Sequence, residues 1–417
     1  MTAMRAAPGQ SVCVIGAGMS GLAAIRALVS AGQAVTAYEA GSSIGGMWRY
    51  GNDSGLSAAY ESLQANTSRR RMQYPGLPMA DVGAEYPHHT DILAYLDTYT
   101  DVHDLSRHIT FRAPVTRVER APGGWEVTVS GCEPRRFAWV VVATGHYCDP
   151  VIPELPGEFS GLIMHARDYR APGRFAGQRV VVVGGAQSAL DIVAEISTTA
   201  RHTFLACAGG HHLIPRRVLG RPLDAFDTSA ALLMPLPVVR SGVRAMMRLG
   251  RAIPDRGSLP PPNHRLFESR WPVVVSPLVS TAISARAFET RPHLNALAGD
   301  RVMFSDGTAE QIDVIVFATG YRISFPFLPD RLGLGTGWEF PGLFEIVDWQ
   351  SRWLAEVVAG RLPIPDHRRM WEAVNSGGER RSRRQFGSTG RHTILCNRHA
   401  YVRLLARDLR HRVHRRA

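Results

Sequence analysis

The stretch Val12-Cys13-Val14-Ile15-Gly16-Ala17-Gly18-Met19-Ser20-Gly21-Leu22 constrains the fold more than any other part of the chain. An apolar, β-branched run enters a G-x-G-x-x-G turn. The pattern then becomes helical, with Leu22, Ile25, Leu28 and Val29 at 3.6-residue spacing. Gly16 suits the tight turn, Gly18 lets a pyrophosphate approach the backbone, and Gly21 lets the helix pack on its strand. Ala17, Met19 and Ser20 fill the turn, whose helix N-terminus offers unpaired N–H groups to phosphate. A second apolar run, Ala34 to Tyr38, ends at Glu39, a carboxylate placed to accept from a ribose hydroxyl. Strand, turn, helix, strand and acid in register predict a dinucleotide site.

The same plan recurs. Arg179 to Val183 is an apolar strand entering Gly184-Gly185-Ala186-Gln187-Ser188-Ala189, and Leu190-Asp191-Ile192 continues as a helix. Two buried strands, Trp139 to Val142 and Val314 to Phe317, each run into an Ala-Thr-Gly link, at Ala143-Thr144-Gly145 and at Ala318-Thr319-Gly320. Two such units, each with its link, predict an α/β fold of two nested Rossmann-like dinucleotide-binding domains. The expected division is 1–170, 171–317 and 318–417, the middle part being inserted between the halves of the first domain.

Between these anchors, Gly45-Gly46-Met47-Trp48 allows close backbone approach beside an aromatic able to cover a planar ring, or forms a turn with a core tryptophan. Leu63 to Ser68, holding Asn66 and Thr67, precedes an ordered loop, and Thr90 is the expected cap of a short amphipathic helix. Gly123-Gly124 reads as a hairpin. Ser229 to Gly250 reads as a proline-broken helical lid.

The net charge of +12 invites a nucleic-acid or membrane reading, but all 48 basic residues are Arg, a bias that follows base composition. No nucleic-acid-reading module accompanies the charge. The basic stretch from Arg380 to Ala417 reads as a solvated amphipathic helix, or as a peripheral contact for phosphates or acidic lipids. No signal peptide or run of transmembrane length is visible, and the five cysteines are scattered without C-x-x-C or zinc spacing. A reduced, cytoplasmic protein without a metal is expected, its oligomeric state open.

These residues resemble the class B flavin-dependent monooxygenases, the flavin-containing monooxygenase type. The fingerprint F-x-G-x-x-x-H-x-x-x-Y is met by Phe159, Gly161, His165 and Tyr169, just before the second glycine turn. Phe317-Ala318-Thr319-Gly320-Tyr321, Gly45-Gly46-Met47-Trp48 and Asn66-Thr67-Ser68 are also typical. The resemblance implies FAD on Gly16–Gly21, with Glu39 on its ribose and Gly46, Met47, Trp48, Asn66, Thr67, Thr319 and Gly320 around it. It implies NADPH, with NADH also accepted, on Gly184, Gln187, Ser188, Ala189 and Asp191. Dioxygen would add to reduced flavin as a C4a-hydroperoxide, whose distal oxygen passes to a nitrogen or sulfur of a small substrate. Asn66 is then the expected catalytic residue, against a bland role as a loop cap. His165 is expected to be structural. Tyr169 stands where Baeyer–Villiger relatives have Trp, which favours heteroatom oxygenation.

Two departures bear on this expectation. Ala186 and Gln187 replace a glycine and an asparagine in the second turn. In Gly342 to Trp353, a strand is expected to pass almost directly into the Gln350-Ser351-Arg352-Trp353 helix, which would leave an open flavin pocket that leaks peroxide. An uncoupled oxidase or a flavin-binding sensor is the alternative. A disulfide reductase of similar fold would need a redox-active cysteine pair, which the sequence lacks. At the end of the strand Thr203 to Cys207, Ala208 and Gly209 offer no arginine for a 2′-phosphate, so Arg216, Arg217, His211 or His212 are the candidates to substitute.

Overall fold

Each glycine turn stands at the end of the middle strands of its own parallel sheet. In a computed structural model, the described residues are 10–80, 83–207, 209–226, 234, 236–249, 256–262, 265–266, 273–329, 343–364, 368 and 398–410. The first sheet has β1 (Ser11–Ile15) between β2 (Ala34–Tyr38) and β7 (Trp139–Val142), with β3 (Ile109–Thr110) beyond β2. All pairings are parallel. With strands on both sides and cover on both faces, Val12 to Ile15 of β1 are buried, which is why they read as an unbroken apolar run.

Helix α1 (Met19–Ser30) lays Leu22, Ile25 and Leu28 into the core of this unit. Helix α2 (His89–Val102) adds Ile92, Leu96 and Tyr99. Its cap is His88, not Thr90: the imidazole accepts from Thr90 N–H while the Asp91 carboxylate accepts from His88 N–H at 2.9 Å. The reciprocal pair needs an acid three residues after the cap, and only His88 has one. The expected hairpin is present, joining β4 (Val115–Ala121) to β5 (Gly124–Val129), with β6 (Arg135–Phe137) completing an antiparallel sheet.

The chain leaves this unit through β8 (Asp149–Pro150), which pairs antiparallel with the returning Tyr321–Arg322. Beyond that crossing lie β9 (Leu162–His165), β10 (Arg179–Val183), helix α3 (Gln187–Ile196) and β11 (His202–Ala206). The second sheet runs in the order Glu289–Arg291, β11, β10, Val314–Phe317, β9, all parallel. The nested architecture is as expected. Its second sheet, however, takes β9, ahead of residue 171, as the edge strand beside Val314–Phe317.

Helix α4 (Leu236–Leu249) is the described part of the stretch expected to form a helical lid; its Met247 joins Ile214 and Leu266 in a small cluster. Helix α5 (Pro277–Ser284) packs on α3. Helix α6 (Leu343–Val358) covers α1, and the partly buried Arg26 reaches its buried Asp348 at 3.3 Å. The stretch expected to begin as a strand is therefore helical from Leu343. Phe344, Val347, Ala355 and Val358 share one helical face, and that face is buried. Residues 330–342, ahead of it, lie outside the described residues, as does the basic stretch apart from a helix at Arg398–Arg410. Among the described residues no helix is long and apolar enough to cross a membrane.

Candidate active site

At the first turn the three glycines do different things. A Cβ on Gly16, whose φ is +103°, would lie 2.7 Å from the Ala143 carbonyl oxygen. One on Gly21 would lie 1.9 Å from the Gly16 oxygen. Both positions are required by packing alone. Gly18 has φ −76°, and a Cβ there would meet only the Gly46 backbone, its Cα at 3.6 Å and its N at 3.9 Å. The space beside it is open to a ligand. Gly45 N–H donates to Ala17 O at 3.1 Å, which sets the Gly46–Trp48 turn against this one.

Gly18 is also the N-cap of α1, with no capping side chain and no acid in the first turn. By contrast α2 and α5 are capped by His88 and Ser276. The free N–H groups and dipole at Met19 and Ser20 suit an anion. Glu39 is buried and accepts from Ala17 N–H at 2.6 Å and Gly41 N–H at 2.9 Å. The expected ribose ligand therefore also ties the turn together, and each of its oxygens keeps a lone pair.

At the second turn a Cβ on Gly184 would lie 2.6 Å from the Ala318 oxygen, and Ala189 is fully buried against this glycine. Ala186 caps α3 without a side-chain bond, and Ser188 is exposed in the first helical turn. Gln187 donates to Asp191 at 2.9 Å and accepts from Val274 N–H at 3.2 Å. His211 closes on the turn, its Nε2 3.3 Å from where a Gly185 Cβ would stand. Thr319 and Gly320 stand in the returning link, where the Thr319 hydroxyl donates to Val151 O and Val151 N–H donates to Gly320 O.

The two units meet at a polar junction. Arg216 donates through Nη1 to Gln64 Oε1 at 2.7 Å and through Nη2 to Asn66 Oδ1 at 3.0 Å. Arg217 pairs with Glu85 at 2.9 Å. Both arginines thus have their side chains engaged at the first unit rather than free for a 2′-phosphate. Thr67 lies beside Asn66, and the next N–H, of Ser68, donates to Asp224 at 2.6 Å. Burial pushes the Asp191 carboxyl up to about 6, against the opposing pull of its Gln187 bond and the Arg216 charge. Tyr60 hydrogen-bonds the same carboxyl.

The fingerprint residues brace this junction. Tyr169 is fully buried and donates to Glu195 at 2.7 Å, while Ser62 donates to the other Glu195 oxygen. His165 is buried, accepts from Arg167 N–H at 3.0 Å and packs on Tyr321. Gln64, Tyr60 and the inward role of Arg216 carry no sequence pattern and are visible only here.

Residues 9–336 match the flavin-binding monooxygenase-like family. The chain belongs to that family. Mouse flavin-containing monooxygenase 5 is 30% identical over 92% of this chain and 79% of its own length. In fold the chain is similar to the S-allyl-L-cysteine S-oxygenase of Allium sativum, with a TM-score of 0.68, 24% identity, and coverage of 96% of this chain and 88% of that one. It is similar also to a cyclohexanone monooxygenase variant from Rhodococcus sp. Phi1, with a TM-score of 0.71, 18% identity, and coverage of 96% and 97%.

This flavin-binding monooxygenase is accordingly an FAD-dependent enzyme that uses NADPH and dioxygen. The first cleft fits the flavin nucleotide. Trp48 Nε1 and Thr144 Oγ1 are buried with no hydrogen-bond partner among the described residues, and Thr144 adjoins Gly16. A buried polar group left unpaired costs about 1–3 kcal/mol, and a ligand rich in acceptor oxygens relieves it.

Proposed function

We propose that this monooxygenase transfers one oxygen atom to a soft nitrogen or sulfur of a small organic substrate, at the junction where Asn66 stands. FAD lies along Gly16–Gly21, with Glu39 on its ribose and Gly46, Met47, Trp48, Asn66, Thr67, Thr319 and Gly320 around it. NADPH lies along Gly184, Gln187, Ser188 and Ala189. Asp191 acts from behind, through Gln187. When bound, FAD supplies the redox chemistry, taking electrons from NADPH and activating dioxygen. The chain's own contribution is orientation, exclusion of water and a hydrogen bond from the Asn66 amide.

The observation that carries this reading is the position of Asn66: next to Ala65 of the first unit's core, yet held by an arginine of the second unit. Tyr169 at the fingerprint position favours a heteroatom over a carbonyl carbon. We place the inserted domain between the two links, from near Pro150 to near Gly320, rather than from 171 to 317. Scattered cysteines fit a reducing cytoplasm, and the basic C-terminal helix fits a peripheral anionic contact. The test is Asn66→Ala. It should keep its FAD but yield several-fold less product per NADPH consumed, the balance appearing as hydrogen peroxide. An unchanged ratio returns Asn66 to a loop-shaping role.

A further inference from the structure

We propose that Arg216 is a positioning residue for oxygen transfer: it fixes the flip of the Asn66 amide, turning the amide N–H groups toward the flavin side. The inference rests on the reading of Asn66 given above. A carboxamide is nearly symmetric in shape, and which of its ends faces a neighbour is decided by hydrogen bonding. A guanidinium has five donors and no acceptor, so any amide atom that bonds it must be the oxygen. The contacts at 2.7 Å to Gln64 Oε1 and 3.0 Å to Asn66 Oδ1 therefore set both amides at once. Flipping Asn66 would press its NH2 group against the guanidinium N–H groups. With the oxygen committed, Nδ2 is the end left to face away from Arg216.

The fork itself is held hard. Arg216 is only 8% exposed, and its guanidinium stands 5.2 Å from the centre of the Tyr86 ring. The Tyr86 hydroxyl donates to the Arg216 carbonyl, which fixes the backbone beneath it. The Asp191 carboxylate on α3 supplies the charge that favours the buried cation. Arg216 Nε is buried without a partner, so its bonding is concentrated in the two-armed end. Lysine cannot reproduce this, because a single ammonium is a point charge with no planar fork. The residue belongs to the unit that would carry NADPH and acts on a residue of the unit that would carry FAD.

The experiment uses the full-length holoenzyme and the variants Arg216→Gln, Arg216→Lys, Asn66→Ala and the double variant Arg216→Gln/Asn66→Ala. FAD affinity is measured by flavin absorbance, product and peroxide are measured per NADPH, and urea unfolding of the apoproteins is followed in parallel. Arg216→Gln should bind FAD within about twofold of the parent yet lose at least fivefold in product per NADPH. Arg216→Lys should lose two- to threefold, and the double variant should be no worse than Asn66→Ala alone. The apoprotein cycle should be non-additive, as for residues in contact. A loss in Asn66→Ala with an unchanged ratio in Arg216→Gln overturns the proposal and leaves Arg216 a brace. An unchanged ratio in Asn66→Ala removes the reading beneath it, a failure visible in that single variant. Should Arg216→Gln not fold, an unchanged ratio in Arg216→Lys overturns the proposal in its place.

Discussion

The two glycine turns share a plan and differ in how they are finished. In the first, Gly21 lets α1 come so close that its missing Cβ would sit 1.9 Å from a carbonyl oxygen. In the second the equivalent position is Ala189, whose methyl is buried beneath Gly184. Gly18, the open position of the first turn, is answered by Ala186 in the second. An acid, Glu39, follows the first unit's second strand and is bonded to its own turn, whereas Cys207 follows the corresponding strand of the second unit. The first cleft is also rimmed by unpartnered polar atoms, at Trp48 and Thr144. A tight turn with an acid and orphan donors suits a nucleotide that stays. A looser turn whose polar side chains, Gln187 and Asp191, are bonded to each other suits one that comes and goes.

The sharpest break in that comparison is Gly18→Val. Its side chain meets little protein but fills the ligand's approach, so the apoprotein should keep its circular dichroism while flavin absorbance disappears. Gly21→Ala should do the reverse and cost stability outright, because a carbonyl cannot yield 1.9 Å. A folded Gly18→Val that retains FAD would show that the two glycines do not divide the work this way.

Next in size is coenzyme choice. A charge-assisted bond contributes about 1.5–3 kcal/mol, roughly ten- to a hundredfold in binding. With Arg216 and Arg217 both engaged at the first unit, NADH should support anaerobic flavin reduction within about tenfold of NADPH. A preference above about a hundredfold would mean another arginine serves the phosphate. Arg256, which holds the His211 carbonyl at 3.1 Å, would then be the next to change.

Ala186→Gly sharpens the comparison by making the second turn more like the first. Removal of one methyl from the pyrophosphate approach should lower the NADPH dissociation constant two- to fivefold and leave FAD affinity alone. Anaerobic equilibrium titration of the reduced enzyme reads it, and no change would place the pyrophosphate elsewhere.

The smallest effect is on stability against pH. Asp191 is raised from 3.8 to about 6, mainly by burial, so the folded protein holds this proton more tightly than the unfolded chain. Its contribution is fully present below the unfolded value and is lost as pH rises from about 4 to about 6. Asp191→Asn should flatten the urea midpoint across that window. A wild-type midpoint that rises over the same window, with the rise absent in Asp191→Asn, would show that the Arg216 charge outweighs burial.

The sequence by itself determined the two strand–turn–helix units, their nesting, the flavin-monooxygenase family and the glycines of both turns. Those features are local: hydrophobic period, turn stereochemistry and motif order are written in consecutive residues. Helix α6 was written locally too, in the spacing of Phe344, Val347, Ala355 and Val358, but its short apolar opening resembles a strand until α1 is seen to cover one face. The tertiary structure decided what long-range pairing alone can decide. Arg216 reads from sequence as a stray cation near a phosphate site, yet its partners lie 150 and 152 residues away. The placement of β9 beside Val314–Phe317 and the double duty of Glu39 are of the same kind. A buried donor takes whichever acceptors the folded chain brings within reach, and no periodicity along the chain records which those are.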